Sequence, residues 1–411
     1  MPTYCISQAR ALRTASMDVH DKLFDAVVVG AGPAGSIAAL TLARAGKDVL
    51  LLEKHETPRD KICGDALIPD SIALLDSLGL LDQVRAVAHP SAAIRVYSPN
   101  GRHMDVRGNY LTLRRLHLDK LLFDAARQSG AAVLHGVAAR GFETDENEAR
   151  VLTKAGPIRA RMAILATGGA SKMLAKFGVE HRSQPSAVAL RAYYRLREDV
   201  PEDRLHIWYE KPILPGYGWI FPMGDHLFNV GAGVFYDSGD DHPNLRDLFA
   251  QFCSECPVAA SMMEGAELVT ELKGAPLRSA LAGAKASGER LLLAGETIGS
   301  TYSFSGEGIG KAMETGRLAG EFAQRALESG GTSAEALASY DVELETRFRD
   351  KFRHYEIAQK WLGWEPAINL MTWKANRSER VMSILEDVVT ERRNPTEILS
   401  LWGMAKTLLL P

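Results

Sequence analysis

Residues able to grip a dinucleotide stand close together near the start of this chain. Asp25-Ala-Val-Val-Val-Gly-Ala-Gly-Pro-Ala-Gly35 reads as a buried strand, a glycine turn and a helix start, and Val49-Leu-Leu-Leu-Glu53 reads as a second strand ending in a carboxylate. Gly30 permits the tight turn, Gly32 lets backbone amides approach a pyrophosphate, and Gly35 lets the helix pack closely on the strand. Glu53, 18 positions beyond Gly35, is placed to accept ribose hydroxyls. The phosphates are expected at the helix N-terminus, where unpaired N–H groups and the macrodipole favour negative charge. The competing reading is a glycine turn used only for packing. The flanking strand, the spacing and the acidic end agree on a bound ADP moiety.

A second piece of chemistry stands late in the chain. The strand 290–295 ends at Gly295-Glu296, and Ser303-Phe-Ser-Gly-Glu-Gly-Ile-Gly310 then opens a helix expected to run through about residue 327. Ile309, Ala312, Met313, Gly316, Ala319, Gly320 and Ala323 form its close-packing face. Its glycine-rich start points a second positive dipole end into the same crevice. In flavoenzymes such an end stabilises negative charge on a reduced isoalloxazine ring, whereas an NAD dehydrogenase has no need of it. FAD is therefore the expected dinucleotide.

These residues need a scaffold. Strands are expected at 26–30 and 48–53 with a helix over 33–45 between them, then a helix over 116–129 leading into a third parallel strand, Ala131-Ala-Val-Leu134. Residues 139–160 read as a polar hairpin before the buried strand Met162-Ala-Ile-Leu-Ala-Thr-Gly168. Two stretches have another rhythm: 91–106, a hairpin around Pro99-Asn-Gly101, and 187–274, where apolar and polar residues alternate as in antiparallel strands. The fold class expected is α/β: a Rossmann-like FAD-binding domain (22–90, 107–175 and 275–330), an inserted antiparallel β-sheet substrate domain (91–106 and 176–274), and a C-terminal helical extension over 331–411. No internal repeat or low-complexity stretch interrupts this plan.

Composition sets outer bounds. The 411 residues exceed one compact core, and 48 Lys+Arg against 51 Asp+Glu give a net charge of -3, which argues against a general nucleic-acid binder. No apolar run approaches the roughly 20 residues of a membrane span. Cys5, Cys63, Cys253 and Cys256 are too few and scattered for a disulfide framework, so a reducing, cytoplasmic setting is expected. Cys253 and Cys256 form a lone C-x-x-C on an expected helix, with no second pair or nearby histidine, so no metal site is expected. Residues 1–17 carry Arg10 and Arg13 and no acid; a transit peptide is one reading, and a short lead with an alternative start at Met17 is the favoured one.

The chain resembles the FAD-dependent geranylgeranyl reductases over about residues 24–330, and within them the bacterial menaquinone- and lipid-reducing branch of the p-hydroxybenzoate hydroxylase-type flavoproteins. The resemblance rests on the fingerprint Gly30 to Glu53; Arg59-Asp-Lys-Ile-Cys-Gly-Asp65; Arg115-Leu-His-Leu-Asp119; Ala166-Thr-Gly168; Leu214-Pro-Gly-Tyr-Gly-Trp-Ile-Phe-Pro222; and Gly295-Glu296 with Ser305-Gly-Glu-Gly308. The Tyr-x-Trp-x-Phe-Pro block discriminates most. Two departures stand out: Glu296 where the family has Asp, and Leu214 followed by Pro215 where the family block opens with proline.

The resemblance implies FAD contacts at Gly30, Gly32, Pro33, Ala34, Gly35, Glu53, Lys54, Cys63, Gly64, Arg115, Ala166, Thr167, Gly168, Gly295, Glu296, Gly306, Gly308 and Ile309. It implies catalytic roles for Tyr217, Trp219 and Cys63, and a substrate pocket of Tyr217, Trp219 and Phe221. On spacing alone, those three aromatics at i, i+2 and i+4 are one face of a strand and fit a core as well as a cavity, and Cys63 fits a small buried residue. The activity implied is saturation of double bonds in a polyprenyl chain on a diphosphate, quinone or lipid, with electrons from NADPH or a ferredoxin-like protein, since only one nucleotide fingerprint is present. The alternatives are a flavin monooxygenase, a halogenase, and a non-catalytic prenyl-binding escort. Trp361, Trp364, Trp373 and Trp402 in the tail, with Lys374, Arg377 and Arg380, suit either a helical pack against the core or peripheral membrane contact.

Overall fold

The structure is a computed structural model that describes residues 19–169, 171–179, 181, 184–236 and 244–409. The lead over 1–17, with Cys5, and residues 410–411 lie outside the described residues. Five strands form the parallel sheet of the first layer, in the spatial order Leu291–Leu293, Pro157–Leu165, Leu23–Val29, Val49–Leu52 and Ala132–Leu134. Their aliphatic runs are continuous because both faces are covered, so Val27, Leu51 and Ile164 have no exposure. The hairpin Gly141–Thr144 and Ala149–Leu152 extends this sheet through the long strand Pro157–Leu165.

Two helices meet behind the sheet's C-terminal edge. The fingerprint helix Pro33–Arg44 has proline in its first turn, and the late helix Ile309–Ser329 packs along it at near-backbone contact. A Cβ on Gly316 would lie 2.2 Å from the Ala34 carbonyl oxygen, and one on Gly35 would lie 1.8 Å from that of Gly30. Small residues here are a steric requirement, and they bring two helix N-termini to one crevice.

The second sheet faces that crevice. Its order is Glu267–Leu268, Ala187–Arg195, Leu227–Phe235, Tyr217–Pro222, Arg204–Trp208, His89–Tyr97, His103–Thr112 and Ala66–Leu67, with Lys273–Leu277 also on the strand Ala187–Arg195. One seam departs from the antiparallel expectation: Arg204–Trp208 runs parallel to His89–Tyr97. The two strands are separated in sequence by much of the first layer, a connection long enough for the crossover a parallel pair requires. The hairpin at Pro99-Asn-Gly101 is also longer than 91–106, because its second strand reaches back to pair with Ala66–Leu67 at the nucleotide side.

The tail is a roof. Leu362, Ile368, Met371, Val381 and Leu385 share one apolar cluster with Ile94, Val106, Leu205, Trp219 and Phe221 on the crevice face of this sheet. The opposite face packs on the helices Leu245–Glu255 and Pro257–Met263 through Phe252 and Met262. Cys256 is not inside a helix: it is extended at the junction between these two, where the following proline disfavours helical backbone.

The near-backbone contact gives the first expected outcome. Gly316→Ala forces the two helices apart and lowers stability by about 1–3 kcal/mol, read as a fall in thermal midpoint together with lost FAD retention. Unchanged midpoint and cofactor content would show that the contact has slack.

Candidate active site

A cavity of about 590 Å³ runs between the two sheets, within the range of small-molecule and cofactor sites. At one end stands the glycine turn. Gly30 has φ +104°, and its N–H donates to the Leu52 carbonyl at 2.7 Å. A Cβ on Gly32 would meet only the guanidinium ends of Arg59 and Arg115, at 3.6 and 3.9 Å, so this stretch of backbone faces open space flanked by two cations. Arg115 is held by a bidentate pair with Asp119 at 2.7 and 2.9 Å, while Arg59 reaches both Glu53 and Asp119 at about 3.4–3.5 Å.

Glu53 is buried at the end of its strand. Its Oε2 accepts the Ala31 N–H at 2.9 Å and Oε1 accepts that of His55 at 3.1 Å, which fixes the carboxylate with lone pairs left over for hydroxyl donors. Thr167 Oγ1, on the opposite wall, is buried with no hydrogen-bond partner among the described residues. Open backbone at a helix start, a fixed carboxylate and an orphaned hydroxyl fit the extended dinucleotide that the sequence implies.

Further along, Gly295 and Gly306 have φ values of +72° and +65°, and Gly308 caps the late helix. The Glu296 carboxylate accepts the Arg278 N–H at 3.3 Å and lies 4.0 Å from Lys61 Nζ, so its extra methylene carries it across Gly168 and Gly169. Pro33, Ala34, Lys54, Ala166, Gly168, Ile309 and the other implied cofactor residues line this same cavity. Gly35 is the exception. It lies behind the wall, where its missing side chain lets the helix close on Gly30, so its part is packing.

The strand Tyr217–Pro222 forms the far wall. Period-two alternation sends Tyr217, Trp219 and Phe221 to the cavity, with ring centroids 6.0 and 6.2 Å apart in sequence order, while Gly218 abuts Phe252 on the other face. The three rings are thus cavity lining and core at once. Tyr217 donates its hydroxyl proton to the Ser305 carbonyl at 2.7 Å, which ties the aromatic wall to the glycine-rich helix start. The Leu214–Pro215 peptide before it is cis, and Gln359 of the tail donates to the Pro215 carbonyl.

Cys63 and Gly64 meet this wall from the first layer. Gly64 sits under Phe221 and Trp219, with room for a Cβ only at ordinary contact distance. Burial pushes the Cys63 thiol up, and the Asp65 charge adds to it, so the sulfur stays protonated.

Four polar residues back this wall. Asp65 is fully buried; it accepts Asn229 Nδ2 at 2.8 Å, the Arg115 N–H at 3.2 Å, and the Tyr193 hydroxyl. Asn229 in turn accepts Trp219 Nε1 at 2.9 Å and donates to the Cys63 carbonyl at 2.7 Å. Arg191, also fully buried, holds Asp60 at 2.8 Å and stacks on the Tyr193 ring at 4.3 Å. Burial pushes the Asp65 carboxyl up to about 6 against these donors. Asp65 was visible inside a quoted motif; Tyr193, Asn229 and Arg191 carry no local signal, because strand register alone sets them opposite it.

Comparisons with known proteins agree with this geometry. Residues 24–349 match the family described as FAD binding domain. The chain is 31% identical over 345 residues to digeranylgeranylglycerophospholipid reductase 2 of Methanopyrus kandleri, covering 82% of this chain and 86% of that one. It is 34% identical over 322 residues to menaquinone reductase of Mycobacterium tuberculosis, covering 74% and 77%. A solved geranylgeranyl bacteriochlorophyll reductase-like protein of Thermoplasma acidophilum shares the fold, with a TM-score of 0.74 at 22% identity over 94% of this chain and 96% of that one. FAD is the cofactor, the chain is a flavoprotein oxidoreductase, and it belongs to the FAD-dependent geranylgeranyl reductase family.

Proposed function

We propose that this protein saturates carbon–carbon double bonds of a polyprenyl chain carried on a lipid, quinone or diphosphate head group. One observation carries the reading: the glycine-lined crevice is continuous with an oily arm. That arm is walled by Tyr217, Trp219, Ile94, Val106, Leu205 and, from the tail, Val388. A long hydrocarbon fits such an arm, and its tail-formed roof excludes water from the reacting bond.

Bound FAD, once reduced, supplies a hydride to the alkene. The chain's own residues do the rest. Amides at Gly30 to Ala34 and the fixed Glu53 carboxylate would hold the ADP end, and Arg59 and Arg115, beside Gly32, would neutralise its phosphates. Tyr217 and Trp219 bracket the alkene and face the tertiary cation character that develops when an unpolarised double bond takes up a proton; a cation–π contact there contributes about 0.5–2 kcal/mol. Burial also pushes the Tyr217 phenol up, so phenol and thiol at Tyr217 and Cys63 both keep their protons beside the bond. With one nucleotide fingerprint in the chain, the electron donor is a transient visitor, NADPH or a ferredoxin-like protein.

The direct test reduces purified FAD-loaded protein without oxygen and offers geranylgeranyl diphosphate and a menaquinone in parallel. Mass spectrometry is expected to show lipid gaining hydrogen in pairs as the flavin reoxidises. Reoxidation only on admitting air, with no lipid gaining hydrogen, hands the site to the monooxygenase reading. Trp219→Leu is expected to slow alkene reduction about 2- to 30-fold at unchanged FAD content, the rate equivalent of the lost cation–π contact. Tyr217→Phe and Cys63→Ser are both expected to slow it; whichever leaves the rate unchanged removes that residue from proton handling.

The reading extends to where the protein works. Among the described residues no helix is long and apolar enough to cross a membrane. Trp364, Leu401 and Trp402 nevertheless stand 51%, 72% and 80% exposed on the tail, with Lys406 on the same short helix as the last two. We infer a cytoplasmic protein that rests on an anionic bilayer through this patch. Vesicles containing anionic lipid are expected to pellet the wild type and to release the double variant Leu401→Ser with Trp402→Ser; equal pelleting of both would refute the contact.

A further inference from the structure

We propose that the buried carboxyl groups of Glu307, Asp70 and Glu391 form the route by which solvent protons enter the closed cavity. The inference rests on the reductase reading and concerns the half of the reaction that the flavin does not supply. Saturating one double bond consumes one hydride, carried by the reduced flavin, and one proton. The electron pair passes to carbon, a C–H bond forms at each former alkene carbon, and the flavin is left oxidised. An apolar, water-excluding arm has no proton of its own to give at every turnover, so the protein must conduct one inward.

The three carboxyls gather around Lys311, between the cavity wall and the partly exposed Lys351. Glu307 is buried in the cavity wall, between the two glycines that open the late helix, and its Oε1 accepts the Gly310 N–H at 2.6 Å. Its Oε2 is left to carry a proton. Asp70 stands at the other side of Gly310, where a Cβ would come within 2.6 Å of Asp70 Oδ2. Glu391 arrives from the tail; its Oε2 accepts Lys311 at 3.0 Å and Lys351 at 2.6 Å. Lys351 is 31% exposed and marks the outer end.

Two oxygens stand in the middle of this cluster. Asp70 Oδ2, 3.4 Å from Lys311 Nζ, and Glu391 Oε1 are both buried, and neither makes a hydrogen bond among the described residues. One proton held between these two carboxyls satisfies both oxygens, and two neighbouring buried carboxylates do not both ionise. The charge balance points the same way. Asp70, Glu307, Glu314 and Glu391 surround Lys311, with Lys351 as the second ammonium, so carboxyls outnumber cations and the surplus is neutral. The phenols of Tyr302 and Tyr355 complete the surroundings, and burial keeps both protonated.

The inner and outer carboxyls differ in proton affinity. Burial, and then the Asp70 charge, hold the Glu307 carboxyl well above the ordinary range. Burial pushes Asp70 up to about 7 against Lys311. At Glu391 burial acts the same way, but Lys311 and Lys351 outweigh it and hold the group below its ordinary value. The two inner carboxyls therefore hold protons that Glu391, the outer one, gives up. As pH rises through about 7, Asp70 loses its proton and refilling of Glu307 fails, so alkene reduction falls on the alkaline side.

The experiment compares FAD-loaded wild type with Glu307→Gln and Asp70→Asn. Infrared spectra of the oxidised protein near neutral pH are expected to show protonated-carboxyl carbonyl bands, one lost in each variant. After anaerobic reduction with dithionite, prenyl-dependent flavin reoxidation is expected to slow by about 100-fold in Glu307→Gln, with KM for the prenyl substrate unchanged. Asp70→Asn is expected to lose the alkaline fall that the wild type shows. Wild-type rates and pH profiles in both variants would overturn the route, as would a wild-type spectrum without a protonated carboxyl band at neutral pH. That spectrum decides the matter even where a variant fails to fold. It also separates the two readings, because it needs no prenyl turnover: a wild type that carries the bands but reduces no prenyl chain sinks the reductase reading alone.

Discussion

The close contact between the helices Pro33–Arg44 and Ile309–Ser329 is the constraint on which the site depends. Each helix brings an N-terminal partial positive charge, and one crevice can receive both only if the two backbones nearly touch. Gly316 against the Ala34 carbonyl and Gly295 against the Ala34 side chain leave no room for anything larger. Gly35 meets the same demand between helix and strand. The glycine pattern is thus one device used several times, and the anion-holding power of the crevice follows from steric economy.

A second constraint couples the two layers. The turn Cys63–Asp65 belongs to the chain of the first layer, and the aromatic wall to the second sheet, yet Asn229 and Asp65 bind them into one polar network. Asn229 touches Trp219, Cys63 and Asp65 together. Such a network, fully satisfied in a dry interior, is stiff and specific, because breaking any member strands the others without partners. It fixes the Cys63 turn and the Trp219 indole relative to each other, the positioning that the proposed reaction requires.

The tail closes the system. It adds no motif, but it roofs the aromatic wall with apolar helices and lowers Glu391 onto Lys311 at the head of the late helix. A cavity with an oily arm needs water kept out and protons let in. The same segment, Val388 to Glu391, serves both ends: its valines line the arm, and its carboxylate sits in the buried charge cluster.

Local chemistry was legible without any coordinates. The turn at Gly30, the carboxylate at Glu53, the helix starts at Pro33 and Ile309 and the alternation of Tyr217, Trp219 and Phe221 each depend on residues within a few positions, whose backbone freedom, dipole or pleat follows from their types. The cofactor, the α/β plan and the family were therefore readable. The partners of those residues were not. Tyr193 reaches Asp65 across 128 positions, Asn229 reaches Cys63 across 166, and Lys311 reaches Glu391 across 80. Their meeting depends on sheet register, on a parallel seam made by a long crossover, and on the return of the tail. Sequence determined which groups can hold a dinucleotide; only tertiary structure decided whether three aromatic rings line a cavity or fill a core, because a strand presents the same face to either.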